Sequence, residues 1–197
     1  MNGRLLALGC LVGLLGACSA TPPRPAAAPT RDPVAIAAFE HWQATGRIAV
    51  RSAQEGFSAH FDWRQAPTEG ELSVRGPFGA GAARIAIGSE RIRIESGAEA
   101  PLEVAAPYEA LDPLLTARIG FPLPLVSLRY WLLGIPAPGA EAVAAADDGF
   151  EQSGWRVVVR AFSVVAGAPA VLPGQLELSR GGTRIRVLID QWRAGLP

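Results

Sequence analysis

Few side chains in this chain could do chemistry. Its 197 residues include two histidines and two cysteines. His41 and His60 have neither a second histidine nor a thiol beside them in sequence, so holding a metal would need ligands from distant segments. A serine nucleophile would need a base and an orienting acid gathered by the fold. No Gly-x-Ser-x-Gly elbow is present, and neither Gly154-Trp155 nor Gly181-Gly182 lies in a phosphate-loop context. Asp62, Glu177 and Asp190 fall on outward strand positions, where solvation is the default. The sequence therefore offers no catalytic residue, no metal set and no cofactor motif. Cys18 stands apart. It follows Arg4 as the only early charge, an almost wholly apolar run from Leu5 to Gly16, and small residues. That order reads as an export signal, too short to span a bilayer.

The tetrad Leu15-Gly16-Ala17-Cys18 resembles the box of bacterial lipoproteins. There, small residues fit the scissile bond into the processing enzyme and the thiol takes a diacylglycerol. The resemblance implies cleavage before Cys18 and lipid on Cys18. Ser19, where an Asp would retain such a protein in the inner membrane, implies the outer membrane. Cys10 leaves with the signal, so no disulfide is expected and stability must come from packing. The expected organisation is a signal over 1–17, a lipidated flexible tether over 18–31 (Pro/Ala-rich and aperiodic) and one domain over 32–197.

Composition narrows the class. The formal net charge is zero, which gives nucleic acid no field to follow. All 18 basic residues are arginine, and 22 Gly with 17 Pro suit many short strands and turns. Asp32-Pro33 reads as a helix cap followed by proline at the first helical position. Val34, Ile36, Phe39 and Trp42 then predict a helix to about Ala44.

From Gly46 the period becomes two. Ile48 and Val50 alternate with arginines. Phe57, Ala59, Phe61 and Trp63 oppose Ser58, His60, Asp62 and Arg64. Leu72 and Val74, then Ile85 and Ile87, then Ile92 and Ile94 continue the pattern, which predicts half-buried antiparallel strands. Leu102 to Val104 adds a sixth. Two helices follow, one over 107–120 and one over Leu125 to Gly134. The second is apolar on most of its circumference, so it should be covered on several sides, as a plug in a barrel or a lid over one. An exposed hairpin about Asp147-Asp148-Gly149 and strands at Trp155 to Phe162, Gln175 to Ser179 and Thr183 to Trp192 complete ten or eleven strands. Their apolar face suits equally a dry core and a cavity for an apolar ligand. Phe78, at the tip of Gly76-Pro77-Phe78-Gly79, stands where a turn normally places a polar residue.

Together, Gly46-Arg-Ile-Ala-Val-Arg51, Phe57-Ser-Ala-His-Phe-Asp-Trp63, Gly76-Pro-Phe-Gly79, Phe121-Pro-Leu-Pro124, Leu128-Arg-Tyr-Trp-Leu-Leu-Gly-Ile-Pro136, Leu176-Glu-Leu-Ser179 and the strand from Ile185 to Trp192 resemble the outer-membrane lipoprotein LolB family. The likeness runs in order through nearly all of the chain after Cys18. It implies a mainly β (α+β) fold: an incomplete antiparallel barrel of about eleven strands with a helical lid over an apolar cavity. It implies a monomer that is not an enzyme and is lipid-anchored at the outer membrane, facing the periplasm. Such a protein accepts lipoproteins from the periplasmic carrier LolA and inserts them into the outer membrane. The expected acyl-chain wall comprises Ile48, Val50, Phe57, Phe61 and Trp63; Leu72, Val74, Ile85 and Ile94; Leu128, Trp131 and Leu132; and Val157, Leu176, Ile185 and Val187. Gly76, Pro77, Phe78 and Gly79 would be the membrane-insertion loop, with Phe78 in place of the family's usual Leu. Arg47, Arg51 and Arg64 could meet an acidic carrier. The alternative is a structural or ligand-binding envelope lipoprotein with a filled core.

Overall fold

The computed structural model describes residues 31–52, 56–77, 82–97, 99–108, 111–119, 122–145, 147 and 149–195. Helix α1 (Pro33–Ala37) is capped as its sequence predicts: Asp32 Oδ1 accepts from the Val34 amide at 2.9 Å, and Pro33 occupies the first turn. It stops well short of Ala44. Trp42 and Ala44 belong instead to strand β1 (Trp42–Arg51), where their neighbours pair on both sides, with Gln65 to Trp63 and with Ala194 to Trp192. Cross-strand pairing satisfies more backbone groups than one further helical turn would, so the helical spacing of Phe39 and Trp42 is overruled.

Strands β2 (Gly56–Gln65), β3 (Gly70–Arg75), β4 (Ala83–Ile87), β5 (Arg91–Ser96) and β6 (Leu102–Ala105) follow as a meander. Helices α2 (Leu111–Ile119) and α3 (Leu125–Leu132) intervene. Strands β7 (Ala142–Ala145), β8 (Gly149–Gln152), β9 (Trp155–Ser163), β10 (Leu172–Arg180) and β11 (Thr183–Ala194) form a second meander. β11 pairs with β1 and joins the halves into one eleven-stranded antiparallel sheet, in the order β6-β5-β4-β3-β2-β1-β11-β10-β9-β8-β7. β6 and β7 remain edges, so the barrel is incomplete, and the two helices lie in the chain between those edges.

The helices differ from expectation in detail. α2 spans Leu111–Ile119, with Pro113 in its first turn, where a missing N–H breaks no bond. α3 is not covered all round. Leu125, Leu128, Trp131 and Leu132 are buried, while Val126 is 41% exposed. The β7–β8 hairpin is not wholly exposed either, because Phe150 and Gln152 are buried.

Gly46 is demanded by close approach. The β1–β11 register slips between Thr45 and Gly46, leaving Asp190 as the extra residue. A Cβ at Gly46 would stand 2.1 Å from the Leu188 carbonyl oxygen and 3.0 Å from the Phe61 ring. Gly46→Ala should therefore destabilise the fold by about 1–3 kcal/mol, as overpacking does. A lowered denaturation midpoint with unchanged slope is the expected reading.

Candidate functional site

The inner face of the sheet is not filled evenly. Between β1–β4 and α3 lies a cavity of about 690 Å³. Its walls are Ile48 of β1, Phe57, Phe61 and Trp63 of β2, Leu72 and Val74 of β3, and Ile85 of β4. Val187 of β11 and Leu123, Leu128 and Leu132 of the α3 segment complete them. Burial grades along the strands. Trp63, Leu72, Ile85, Leu132 and Val187 are buried at the inner end. Phe57, Val74, Ala83 and Ser96 are half-buried, and Ala82, Gly97 and Glu99 are exposed. The cavity thus opens where β3 passes into β4 and where β5 ends. Trp63 closes the inner end, backed by Trp42 at 5.9 Å between ring centroids; Trp192 lies 5.4 Å from Trp42, edge to face. Each outer indole is tied down: Trp63 Nε1 donates to Gln65 Oε1 at 3.1 Å, and Trp192 Nε1 to the Pro173 carbonyl at 2.7 Å.

Of the residues expected on an acyl-chain wall, ten line this cavity. Val50, Ile94, Trp131, Val157, Leu176 and Ile185 do not; they are buried in packed core. Helix geometry explains the division. Leu128 and Leu132 are four apart and share one row facing the cavity, whereas Trp131 is turned toward β8 and β9. Its ring meets Phe150 at 6.3 Å and Trp155 at 6.3 Å, and its Nε1 donates to Gln152 Oε1 at 2.8 Å. Gln152 Oε1 also accepts from the Ala137 amide at 2.8 Å. Its Nε2 donates to the carbonyls of Ala137 at 2.7 Å and Ala140 at 2.9 Å. This one buried amide fastens α3 and the chain after it to the sheet, so the neighbouring leucines can roof the hollow side.

The strand period missed Ala82, Ala83, Ser96, Gly97, Glu99 and Leu123. The first five are small or polar, and only their place at the open end brings them to the wall. Leu123 lies between Pro122 and Pro124 in what reads as a connection, where neither a strand nor a helix period picks it out.

Gly76 is buried and Pro77 exposed; Phe78 and Gly79 lie outside the described residues, as do Cys18 and the rest of 1–30. The β3–β4 connection leaves from Arg75 and returns at Ala82, on the rim of the cavity. His41 and His60 are exposed, and among the described residues no three His, Cys, Asp or Glu gather as a metal would require. Of the outward acids, Asp190 pairs with Arg47 at 3.1 Å, Glu177 with Arg184 at 3.3 Å, and Asp62 accepts from Gln43 Nε2 at 2.7 Å. The cavity wall itself is apolar apart from Ser96 and Glu99. Elsewhere, burial raises the Asp112 carboxyl above its usual range, opposed by the charge of Arg180.

The family model for outer membrane lipoprotein LolB matches residues 40–192. The chain belongs to the LolB family. Its relatives include the outer-membrane lipoprotein LolB of Alkalilimnicola ehrlichii, 35% identical over 97% of each chain. Another is that of Halorhodospira halophila, 35% identical over 79% of this chain and 77% of the other. Among solved structures, a LolA-superfamily protein from Nitrosomonas europaea aligns over 81% of this chain and 88% of that one, with a TM-score of 0.49 and 8% identity. The matched LolB segment starts just before β1 and ends in β11, so it reaches every strand of the sheet, both central helices and the residues that line the cavity.

Proposed function

We propose that the cavity is the acyl-chain site of an outer-membrane lipoprotein receiver. As a LolB-family member, the protein accepts lipoproteins and inserts them into the outer membrane. Acyl chains in water would expose many methylenes, each worth about 0.8 kcal/mol, and a hollow lined by leucine, isoleucine, valine and aromatic rings hides them. The observation that carries the reading is the 690 Å³ hollow itself, open at one end and apolar along its walls. Its size falls within the range of about 300–1,000 Å³ typical of ligand pockets. A filled-core envelope protein is therefore the less favoured alternative.

Cargo enters and leaves through the open end, handed over by a LolA-type carrier. No covalent chemistry is required, because affinity rising from carrier to receiver to bilayer drives the transfer. Cys18 carries the protein's own lipid, and 18–31 tethers the domain to it. The protein acts as a monomer. Of the three arginines read as carrier contacts, Arg47 is paired with Asp190 and Arg64 lies 3.9 Å from Asp62, while Arg51 forms no ion pair among the described residues.

A fluorescent fatty acid tests the cavity. Saturable binding, displaced by lipoprotein, is expected of the native protein. Ala83→Trp places an indole on the wall near the open end and should weaken probe binding at least tenfold, about 1.4 kcal/mol. Thermal stability should be almost unchanged, since the ring enters empty space. Undiminished binding in that variant would put the acyl chain elsewhere.

A further inference from the structure

Charge on the outer face of the sheet is not spread evenly, although the chain's formal net charge is zero. On β3, β2, β1 and β11, at the end where the cavity opens, outward positions carry Arg75, His60, Arg47, Arg51, Arg184 and Arg186, all exposed. Register makes them neighbours. Arg75 pairs across to His60, His60 to Arg47, and Arg51 to Arg184. Arg47 and Arg184 are neutralised by Asp190 and Glu177. Arg51, Arg75 and Arg186 form no ion pair among the described residues. The same face holds a separate groove of about 330 Å³, with Arg47, His60 and Arg186 beside Ala49, Ser58, Leu188 and Pro77. Its floor is apolar and its rim cationic. It backs onto the cavity wall, because Ile48 borders both hollows.

We infer that this face is a docking surface for the anionic phosphate headgroups of a phospholipid bilayer, which turns the open end of the cavity toward the membrane. The inference rests on the delivery reading above. Three guanidiniums unpaired among the described residues are the chemistry that phosphate oxygens satisfy. An anionic surface attracts each by about fivefold in binding. A bilayer fits better than an acidic protein because the groove abuts Pro77, on the connection that leaves the cavity rim, so one surface would engage headgroups beside the exit for acyl chains.

The test uses the full-length lipidated protein reconstituted into vesicles of phosphatidylcholine alone or with a third phosphatidylglycerol. A fluorophore is placed on Gly182→Cys, in the β10–β11 turn, where a new side chain meets nothing within 4 Å. A second variant carries it on Val143→Cys, on the far edge strand, where Val143 is 62% exposed. Energy transfer to a headgroup-labelled lipid reports distance. The proposal expects strong transfer from position 182 in anionic vesicles, at least tenfold less bilayer-facing protein in neutral ones, and loss in 0.5 M salt. Arg51→Gln, Arg75→Gln and Arg186→Gln combined should abolish the preference while fatty-acid binding and melting temperature hold. Equal transfer in both vesicles overturns the proposal, and so does a label at 182 that responds to purified carrier but not to anionic lipid. Failure to sediment with any vesicle, or to bind the fatty acid, would instead strike at the delivery reading.

Discussion

Phe78→Glu is expected to abolish release of cargo into a bilayer while leaving acceptance from the carrier at the native rate. Phe78 stands between Pro77, which is exposed, and a return at Ala82, which lies on the rim of the cavity. We propose that this residue enters the bilayer interface, where an aromatic side chain is favoured, with the proline before it stiffening the approach. A carboxylate there carries a charge into the layer that must be entered. Translocon scales put such a charge at about 3 kcal/mol in the bilayer centre, a hundredfold or more in rate if even that much is felt in the transition state. Phe78→Leu should transfer normally. Two rates decide the matter: labelled lipoprotein passing from carrier to receiver, and from receiver to liposomes. A native second rate in the Glu variant, or a block already at the first, would show that insertion does not run through this residue.

Gln152→Leu is expected to be the most destabilising single substitution. The side chain is 2% exposed and makes four hydrogen bonds. Leucine matches its volume but leaves the Trp131 indole N–H, the Ala137 amide and carbonyl and the Ala140 carbonyl without this partner. Each buried orphan costs about 1–3 kcal/mol; with partial relaxation the total should reach roughly 3–5 kcal/mol. At about 2–4 °C per kcal/mol for a domain of this size, melting should fall by on the order of 10 °C. Because Gln152 holds α3 against the sheet, fatty-acid affinity should fall as well. A change below 1 kcal/mol would mean that water replaces the amide.

Much of the architecture was legible. The alternation in Phe57 to Trp63 and in Ile85 to Ile94 named both the strands and their inward residues, because a pleated strand sends successive side chains to opposite faces whatever surrounds it. Asp32-Pro33 marked a helix start by local hydrogen bonding, and the order of motifs from Gly46 to Trp192 pointed to the family. Trp42 misled, since its helical spacing from Phe39 is local and its strand pairing, with Gln65 and Ala194, is not.

Which inward residues face empty space was beyond the sequence. Ile48 and Val50 alternate identically, yet Ile48 lines the cavity and Val50 is sealed in core. The same pattern serves both because a period of two records only the face, while filling depends on what is packed over that face. Here α3 decides it. The turn between Leu128 and Trp131 sends one toward the hollow and the other into Phe150 and Trp155, and Gln152, an unremarked polar residue on a short strand, holds the helix at that rotation. The residues that make strands and the thiol suited to lipid were determined by local chemistry. The hollow was determined by long-range packing between β8, α3 and β1–β4, which no single segment carries.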